Sequence, residues 1–442
     1  MTETDASSHK HLIRGIGFTG LAILVVNSMI GAGIFALPAA VSARAGVLSP
    51  WLFLAVGLLI ITVVLTFAEL SSYFKSSGGP VLFTTTAFGP LAGFTTGWVF
   101  FVSRMAAFAA NTTVMAVYLG AIWPWFSAGI GRSVLIVAVC STLTYANLIG
   151  VKNGVRTMAV ITFFKLTPIL LLIVLGLQHV SGNTLFPATM PTIDDLGGTT
   201  LLLVYAFVGF ESVTIVSGES RDPKRTVPHA LIMTVIATGI LYFLIVLAYI
   251  SVLPDAGASG ATLIDVGREL MGPAGTIFIT LGAFFSIGGN LSSIMLAVPR
   301  LTFALAHERL LPKWFGEIHD KYSTPGNSIM FLGGLGLLFA LTGSFEYLAA
   351  ASSLMRLIGY VLCIASLPAI RNRASTEEKA DAFRLQGGYA IPAFAMMLCL
   401  WIGAQSSLLS WQVTGGLLAA GLVLYALSAN RRARWAAQST QD

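Results

Sequence analysis

Charge is what this sequence has least of. Its 442 residues include 25 Lys/Arg and 19 Asp/Glu, 10% of the chain, where a soluble globular protein carries about 25%. That shortfall excludes a water-soluble single-domain enzyme. With 56% hydrophobic residues and a mean hydropathy of +0.83, a disordered chain is excluded as well. Cysteine is scarce too. Cys140, Cys363 and Cys399 stand inside apolar stretches with no paired spacing, which excludes a disulfide scaffold and a zinc-site pattern. No G-x-S-x-G, HExxH or P-loop string occurs, and His229 and His307 have no partner at metal-ligand spacing; no cofactor is expected. The net charge of +6 and pI of about 9.3 leave two origins open, a nucleic-acid surface or the basic loops of a membrane protein.

What is present instead is apolar length. A helix needs ~20 mostly apolar residues to cross a bilayer. Uncharged runs of that order separate Arg14 from Arg44, Lys75 from Arg104, Lys165 from Asp194, Arg225 from Asp255, Glu269 from Arg300, and Arg384 from Arg431. The pattern predicts an all-α polytopic membrane protein with twelve spans, at 16–43, 50–72, 86–121, 133–150, 157–178, 197–218, 228–253, 274–306, 327–343, 346–370, 388–406 and 411–430. Short tails flank them at 1–15 and 431–442. A signal peptide cleaved near Val41-Ser42-Ala43 is the alternative for the first span, but its apolar core would be only ~7–15 residues. Nineteen of the 25 Lys/Arg fall on one side of this arrangement, three on the other and three within spans. The positive-inside rule then puts both termini in the cytoplasm, the chain in the plasma membrane, and removes the need for a nucleic-acid partner.

Two spans carry interruptions. The first holds Ser28-Met29-Ile30-Gly31-Ala32-Gly33-Ile34-Phe35 and then Pro38; the sixth holds Tyr205-Ala206-Phe207-Val208-Gly209-Phe210-Glu211-Ser212. Mid-membrane glycines either let helices pack closely or unwind the helix, because glycine loses the most backbone entropy on becoming helical. Unwound backbone at that depth must be satisfied by protein or by a water-lined cavity. Interruptions five spans apart, an odd offset that inverts topology, fit an inverted-repeat secondary transporter. There, half-helix N-termini receive an anion and freed carbonyls a cation, which suits a zwitterion such as an α-amino acid.

The string SMIGAGIFALPAA, the Ala68-Glu69-Leu70 end of span two followed by Ser77-Gly78-Gly79-Pro80, and the FVGFES of span six together resemble the amino acid–polyamine–organocation (APC) transporters. The stretch Gly218-Glu219-Ser220-Arg221-Asp222-Pro223-Lys224-Arg225-Thr226-Val227-Pro228 and the segment from Arg300 to Pro312 are similar to that family's as well. The resemblance runs from about residue 12 to 375. It implies a five-plus-five inverted repeat, spans one to five over 16–180 and six to ten over 197–370, with two further helices over 388–430. It also implies that the N–H groups of Ala32 and Gly33 hold a substrate carboxylate, and that the carbonyls of Met29, Tyr205 and Val208 hold its ammonium. Tyr205 falls where many members place an aromatic lid, with an ordinary packing aromatic as the alternative; Ser103 to Phe108 would line the pocket from span three.

An ionisable group at a span centre costs ~2.5–3.5 kcal/mol on insertion scales, so each is a functional hypothesis. Lys165 lies among apolar neighbours in span five. The resemblance implies that its ammonium stands where sodium-coupled relatives of the fold hold a cation, which favours proton coupling or cation-independent exchange. Snorkelling to the headgroups is the alternative. Glu211 is either a gating carboxylate, as the resemblance implies, or a structural one bonded to loose backbone. Arg104 and Arg356 depart from the family pattern. They either pair with Glu211 in a buried network, or Arg104 faces the pocket and selects substrates with an acceptor. Glu69, Glu219 and the charges from Arg300 to Lys313 read as inner-gate or interfacial groups.

The expected function is secondary transport by alternating access, proton-coupled, of neutral L-amino acids, given the apolar pocket candidates Met29, Tyr205, Val208 and Ile294. A sodium-independent exchanger of amino acids, cationic amino acids or polyamines is the alternative, and a channel or non-transporting sensor the reading from another class. An intramembrane enzyme would need a nucleophile–base or metal set, and the apolar segments hold none. The expected partners are the amino acid, a proton and the lipid bilayer, with the chain a monomer or homodimer.

Overall fold

The structure is a computed structural model that describes residues 16–74, 78–150, 155–185, 193–215, 217–255 and 259–429. The expected tails, Lys75, Ser77, Lys152 and the side chain of Glu219 lie outside the described residues. Within them the secondary structure is helical, apart from one isolated bridge between Ile16 and Ser220. Helices run α1 (Phe18–Met29), α2 (Gly33–Ala45), α3 (Ser49–Ser72), α4 (Gly79–Phe88), α5 (Pro90–Ile122), α6 (Gly129–Ile149), α7 (Val155–Gly176) and α8 (Gly182–Leu185). They continue with α9 (Ile193–Phe207), α10 (Ser212–Ile215), α11 (Pro223–Val252), α12 (Leu263–His307), α13 (Gly326–Thr342), α14 (Phe345–Arg373), α15 (Thr376–Asp381), α16 (Ala390–Ala404) and α17 (Leu408–Leu427).

Among the described residues, eight helical stretches are long and apolar enough to cross a membrane, and four shorter apolar helices accompany them: Phe18–Met29, Gly197–Phe207, Gly326–Thr342 and Ala390–Ala404. The shortness has a cause in two of them. At ~1.5 Å per residue, the 12 residues of α1 cover about 18 Å, well under the ~30 Å of a hydrocarbon core. Both α1 and α9 stop where the sequence places its mid-span glycines.

Several expected boundaries shift, among them span four, which starts at Gly129, and span seven, which starts at Pro223; two others have a clear local cause. Span three does not start at 86: α4 closes at Phe88, Gly89 takes φ +90°, and α5 begins at Pro90. A left-handed glycine followed by proline, which lacks the N–H for a helix interior, divides what hydropathy alone reads as one run. Span eight begins earlier than 274. Thr262 and Asp265 form a capping box that starts α12 at Leu263, and Gly272 (φ 63°) ahead of Pro273 kinks it,.

α5 is the central helix, buried over most of its length, whereas α6 and α17 leave most of theirs exposed. α14 and α12 pack along α5, α11 packs along α3, and α7 along α12. Exposed apolar side chains such as Val134, Phe163, Val174, Leu281, Leu400 and Val423 form the outer surface of this bundle, as lipid contact requires. The two interrupted helices lie inside, with α1 against α7, α11 and α12, and α2 against α9.

Candidate functional site

The first interruption spans Ile30 to Ala32. Ile30 is extended (φ −79°, ψ 96°) and its N–H still reaches Val26 O. Buried backbone groups must be paired, and here side chains from four other helices do it. From α7, Lys165 Nζ donates to Val26 O (3.3 Å) and Ile30 O (3.0 Å). From α12, Asn290 Nδ2 donates to Asn27 O (3.0 Å) and Ser28 O (2.9 Å), and Ser286 Oγ donates to Ile30 O (3.3 Å). Ser286 and Asn290 share a face because they are four residues apart. Tyr242 of α11 approaches Met29 O at 3.5 Å. The Ala32 N–H is taken by Asn111 Oδ1 of α5 at 2.7 Å. Gly31 permits this crowding: a Cβ there would stand 2.8 Å from Asn111 Oδ1 and 2.9 Å from the Asn290 carboxamide carbon.

The second interruption, Val208 to Glu211, lies against the first. Gly209 has φ +119°, and a Cβ on it would stand 2.4 Å from Ser28 O, so only glycine fits both the conformation and the contact. Glu211 folds back to accept the Gly209 N–H (3.1 Å) and the Tyr360 hydroxyl (3.1 Å). It also pairs with two guanidiniums, Arg104 at 3.1 Å and Arg356. Arg104 further donates to Gly209 O (3.4 Å) and to Ser212 Oγ. Arg356 donates through Nε to Ser103 Oγ (2.9 Å) and lies over the Phe100 ring at 5.1 Å. Glu211 is 1% exposed, Arg356 0% and the Arg104 side chain 12%. Two cations on one anion leave this buried cluster with an excess positive charge, held by aromatic faces and hydroxyls.

The residues singled out from sequence thus fall into two groups. Met29, Ala32, Gly33, Tyr205, Val208 and Lys165 gather at the paired interruptions. Tyr205 receives a bond from Asn111 Nδ2 (3.1 Å), sets its ring edge-on to Phe345 at 5.7 Å, and lies 3.4 Å from where a Gly33 Cβ would be. Lys165 is fully buried against the break rather than snorkelling to an interface. Ile294 is buried on α12, one turn past Asn290. Ser103, expected to line the pocket, donates to Ser352 O of α14 at 2.7 Å and accepts from Arg356. Both arginines pair with Glu211, where the sequence left this open against Arg104 facing the pocket.

Sequence reasoning missed Asn111, Asn290, Ser286 and Tyr360. The signal was available for the asparagines: an uncharged carboxamide deep in an apolar span also needs a partner. Glu69 reads from sequence as an inner-gate or interfacial charge. Glu69 is fully buried and forms a bidentate pair with Arg371 Nε and a terminal nitrogen, both at 2.7 Å. The connector after α14 covers it: Leu385 N–H donates to Glu69 (3.0 Å), Arg371 donates to Gly388 O (2.9 Å), and the Tyr389 ring lies 4.5 Å from the Arg371 guanidinium.

Among the described residues no three His, Cys, Asp or Glu cluster as a metal site would require. A cavity of about 360 Å³ is lined by Thr113, Val117, Arg132, Thr342, Ser344 and Phe345 among others. What the two interruptions offer chemically is a bidentate set of opposite poles: the N-terminal end of α2 at Ala32 and Gly33, and the carbonyls at the C-terminal end of α1.

The chain is similar to known transporters. The serine/threonine exchanger SteT of Bacillus subtilis (strain 168) is 28% identical over 436 residues, covering 93% of this chain and 94% of its own. Uncharacterized transporters of Mycobacterium tuberculosis and Mycobacterium bovis are each 28% identical over 376 residues, covering 80% of both chains. These relatives are named as transporters. Residues 16–429 match the amino acid permease family, and this chain, a multi-pass membrane transporter built around two interrupted helices, belongs to it.

Proposed function

We propose that the protein carries neutral L-amino acids across the cytoplasmic membrane by alternating access, and that the paired interruptions hold the amino acid's backbone. The observation that carries this reading is the contact of the two breaks, with Gly209 against Ser28 O and Met29 N. It brings the end of α9 against the first break, where the α2 N-terminus already adjoins the carbonyls of α1, an arrangement that recognises a carboxylate and an ammonium together,. In this reading Ala32 and Gly33 take the carboxylate, the carbonyls of Met29, Tyr205 and Val208 take the ammonium, and Tyr205 closes over them. Met29, Val208 and Ile294 leave an apolar side-chain space. Twelve spans, in two inverted repeats over 16–180 and 197–370 plus two more helices over 388–430, fit the eight long and four shorter apolar stretches once Gly33–Ser72 is divided into α2 and α3 and α1 is counted with α2. The Lys/Arg distribution supports cytoplasmic termini,.

Lys165 supports a proton-coupled, sodium-independent cycle. Its ammonium already takes the α1 carbonyls that a metal cation would otherwise use. The Arg104–Glu211–Arg356 cluster acts as the gate, because separating α5, α9 and α14 would break two buried ion pairs. A second reading, exchange of amino acids, is favoured by the likeness to the serine/threonine exchanger of Bacillus subtilis. Radiolabelled L-serine uptake into proteoliposomes tests both. Uptake driven by an inward proton gradient with choline replacing sodium is expected. Uptake only into vesicles preloaded with amino acid selects exchange. No accumulation or exchange under any gradient contradicts a transporter, and uptake of putrescine or agmatine in place of neutral amino acids contradicts the substrate class.

A further inference from the structure

Asn111 holds a position that no expectation assigned to it. Its carboxamide oxygen accepts the Ala32 N–H at 2.7 Å, the donor at the head of α2 that a carboxylate would seek. Its carboxamide nitrogen donates to the Tyr205 hydroxyl at 3.1 Å and to Ala107 O at 2.7 Å. The side chain is 2% exposed, and Gly31 makes room for it. One planar group therefore joins the head of α2 to the aromatic of α9. A carboxamide oxygen and a carboxylate oxygen are acceptors of the same geometry, but the carboxylate is charged and makes the stronger bond to an N–H at a helix N-terminus.

We infer that Asn111 is an internal competitor for the ligand's carboxylate and the element that reports its arrival to Tyr205. This rests on the reading of the first interruption as the seat of an amino acid. The carboxylate displaces Oδ1 from the Ala32 N–H. The carboxamide is rigid and planar, so its rotation also withdraws Nδ2 from the Tyr205 hydroxyl and frees the ring to reorient. A purely structural cap would do neither.

The test is equilibrium binding of radiolabelled L-serine to the purified full chain, by scintillation proximity, with Asn111→Ala, Asn111→Asp and Tyr205→Phe compared with the wild type. Removing the competitor in Asn111→Ala is expected to tighten L-serine binding about 3- to 10-fold, the range set by one net hydrogen bond. Asn111→Asp is nearly isosteric but places a fixed negative charge on the same N–H, and is expected to weaken L-serine binding at least about 10-fold. Tyr205→Phe removes the far partner of the carboxamide and is expected to tighten binding less than Asn111→Ala. Opposite signs for Ala and Asp distinguish competition from a structural role, which would weaken both. If Asn111→Ala does not fold, the Asp variant decides: L-serine affinity equal to wild type overturns the proposal. Wild-type binding that Asn111→Ala fails to tighten also overturns it. A wild type that binds none of a panel of neutral L-amino acids overturns the reading of the site itself.

Discussion

At the interruption between α1 and α2, the freed backbone is met by Asn111, Asn290, Ser286 and a single cation, Lys165. At the interruption between α9 and α10, it is met by ions: the Glu211 carboxylate on the Gly209 N–H and the Arg104 guanidinium on the Gly209 carbonyl. The difference bears on what each can do. Neutral donors and acceptors exchange partners at a net cost near 0.5–1.5 kcal/mol per bond, so a ligand can replace them. Ions buried in a membrane protein are far more costly to separate. The first interruption is thus suited to binding and release, and the second to switching between a few discrete states.

Removing the charge at the second interruption should have the largest effect. Glu211→Gln leaves two buried guanidiniums without an anion, and a loss of about 3–5 kcal/mol is expected, read as a lowered midpoint of thermal unfolding in detergent. A Glu211→Gln, Arg356→Met double variant should recover part of it; no recovery would show that the arginines are not what makes the loss severe. Glu69→Gln breaks the other buried pair, at the end of α3. About 1.5–3 kcal/mol is expected, with the 383–389 connector becoming accessible to protease. At the first interruption, Lys165→Met strips the donor from Val26 O and Ile30 O, for about 1–3 kcal/mol. The comparison sharpens if uptake is lost at a temperature where the variant stays folded. The control is Glu346→Gln, which breaks the exposed Arg44–Glu346 pair (2.7 Å, side chains 36% and 50% exposed). It should cost under about 1 kcal/mol and leave uptake unchanged.

Both interruptions were legible in the sequence because their cause is local. Gly31, Gly33 and Gly209 weaken a helix wherever they fall in an apolar span, and Lys165, Glu211, Arg104 and Arg356 stand out wherever charge is expensive. What was not legible depends on which helix lies beside which. Glu211 is more than 100 residues from either arginine, and nothing local says that both converge on it or that Ser103 turns to Arg356. Asn111 signals, as an uncharged carboxamide in an apolar span, only that it needs a partner; that the partners are the Ala32 N–H and the Tyr205 hydroxyl depends on how the helices pack. The division of α4 from α5 could have been read from Phe88-Gly89-Pro90, but hydropathy averages over such punctuation. Whether Glu69 is an inner-gate or an interfacial charge was not legible, because Arg371 and the connector that buries it are distant in sequence.

The central claim is that the paired interruptions recognise both charged groups of an amino acid's backbone, with the head of α2 taking the carboxylate. Competition against radiolabelled L-serine uptake in proteoliposomes tests it most directly, using unlabelled L-serine, ethanolamine (the same molecule without its carboxylate) and 3-hydroxypropionate (the same molecule without its amine). Only L-serine should compete at concentrations near its own half-saturation. Equal competition by ethanolamine would contradict the claim, since the N–H groups at the head of α2 would then contribute nothing to recognition.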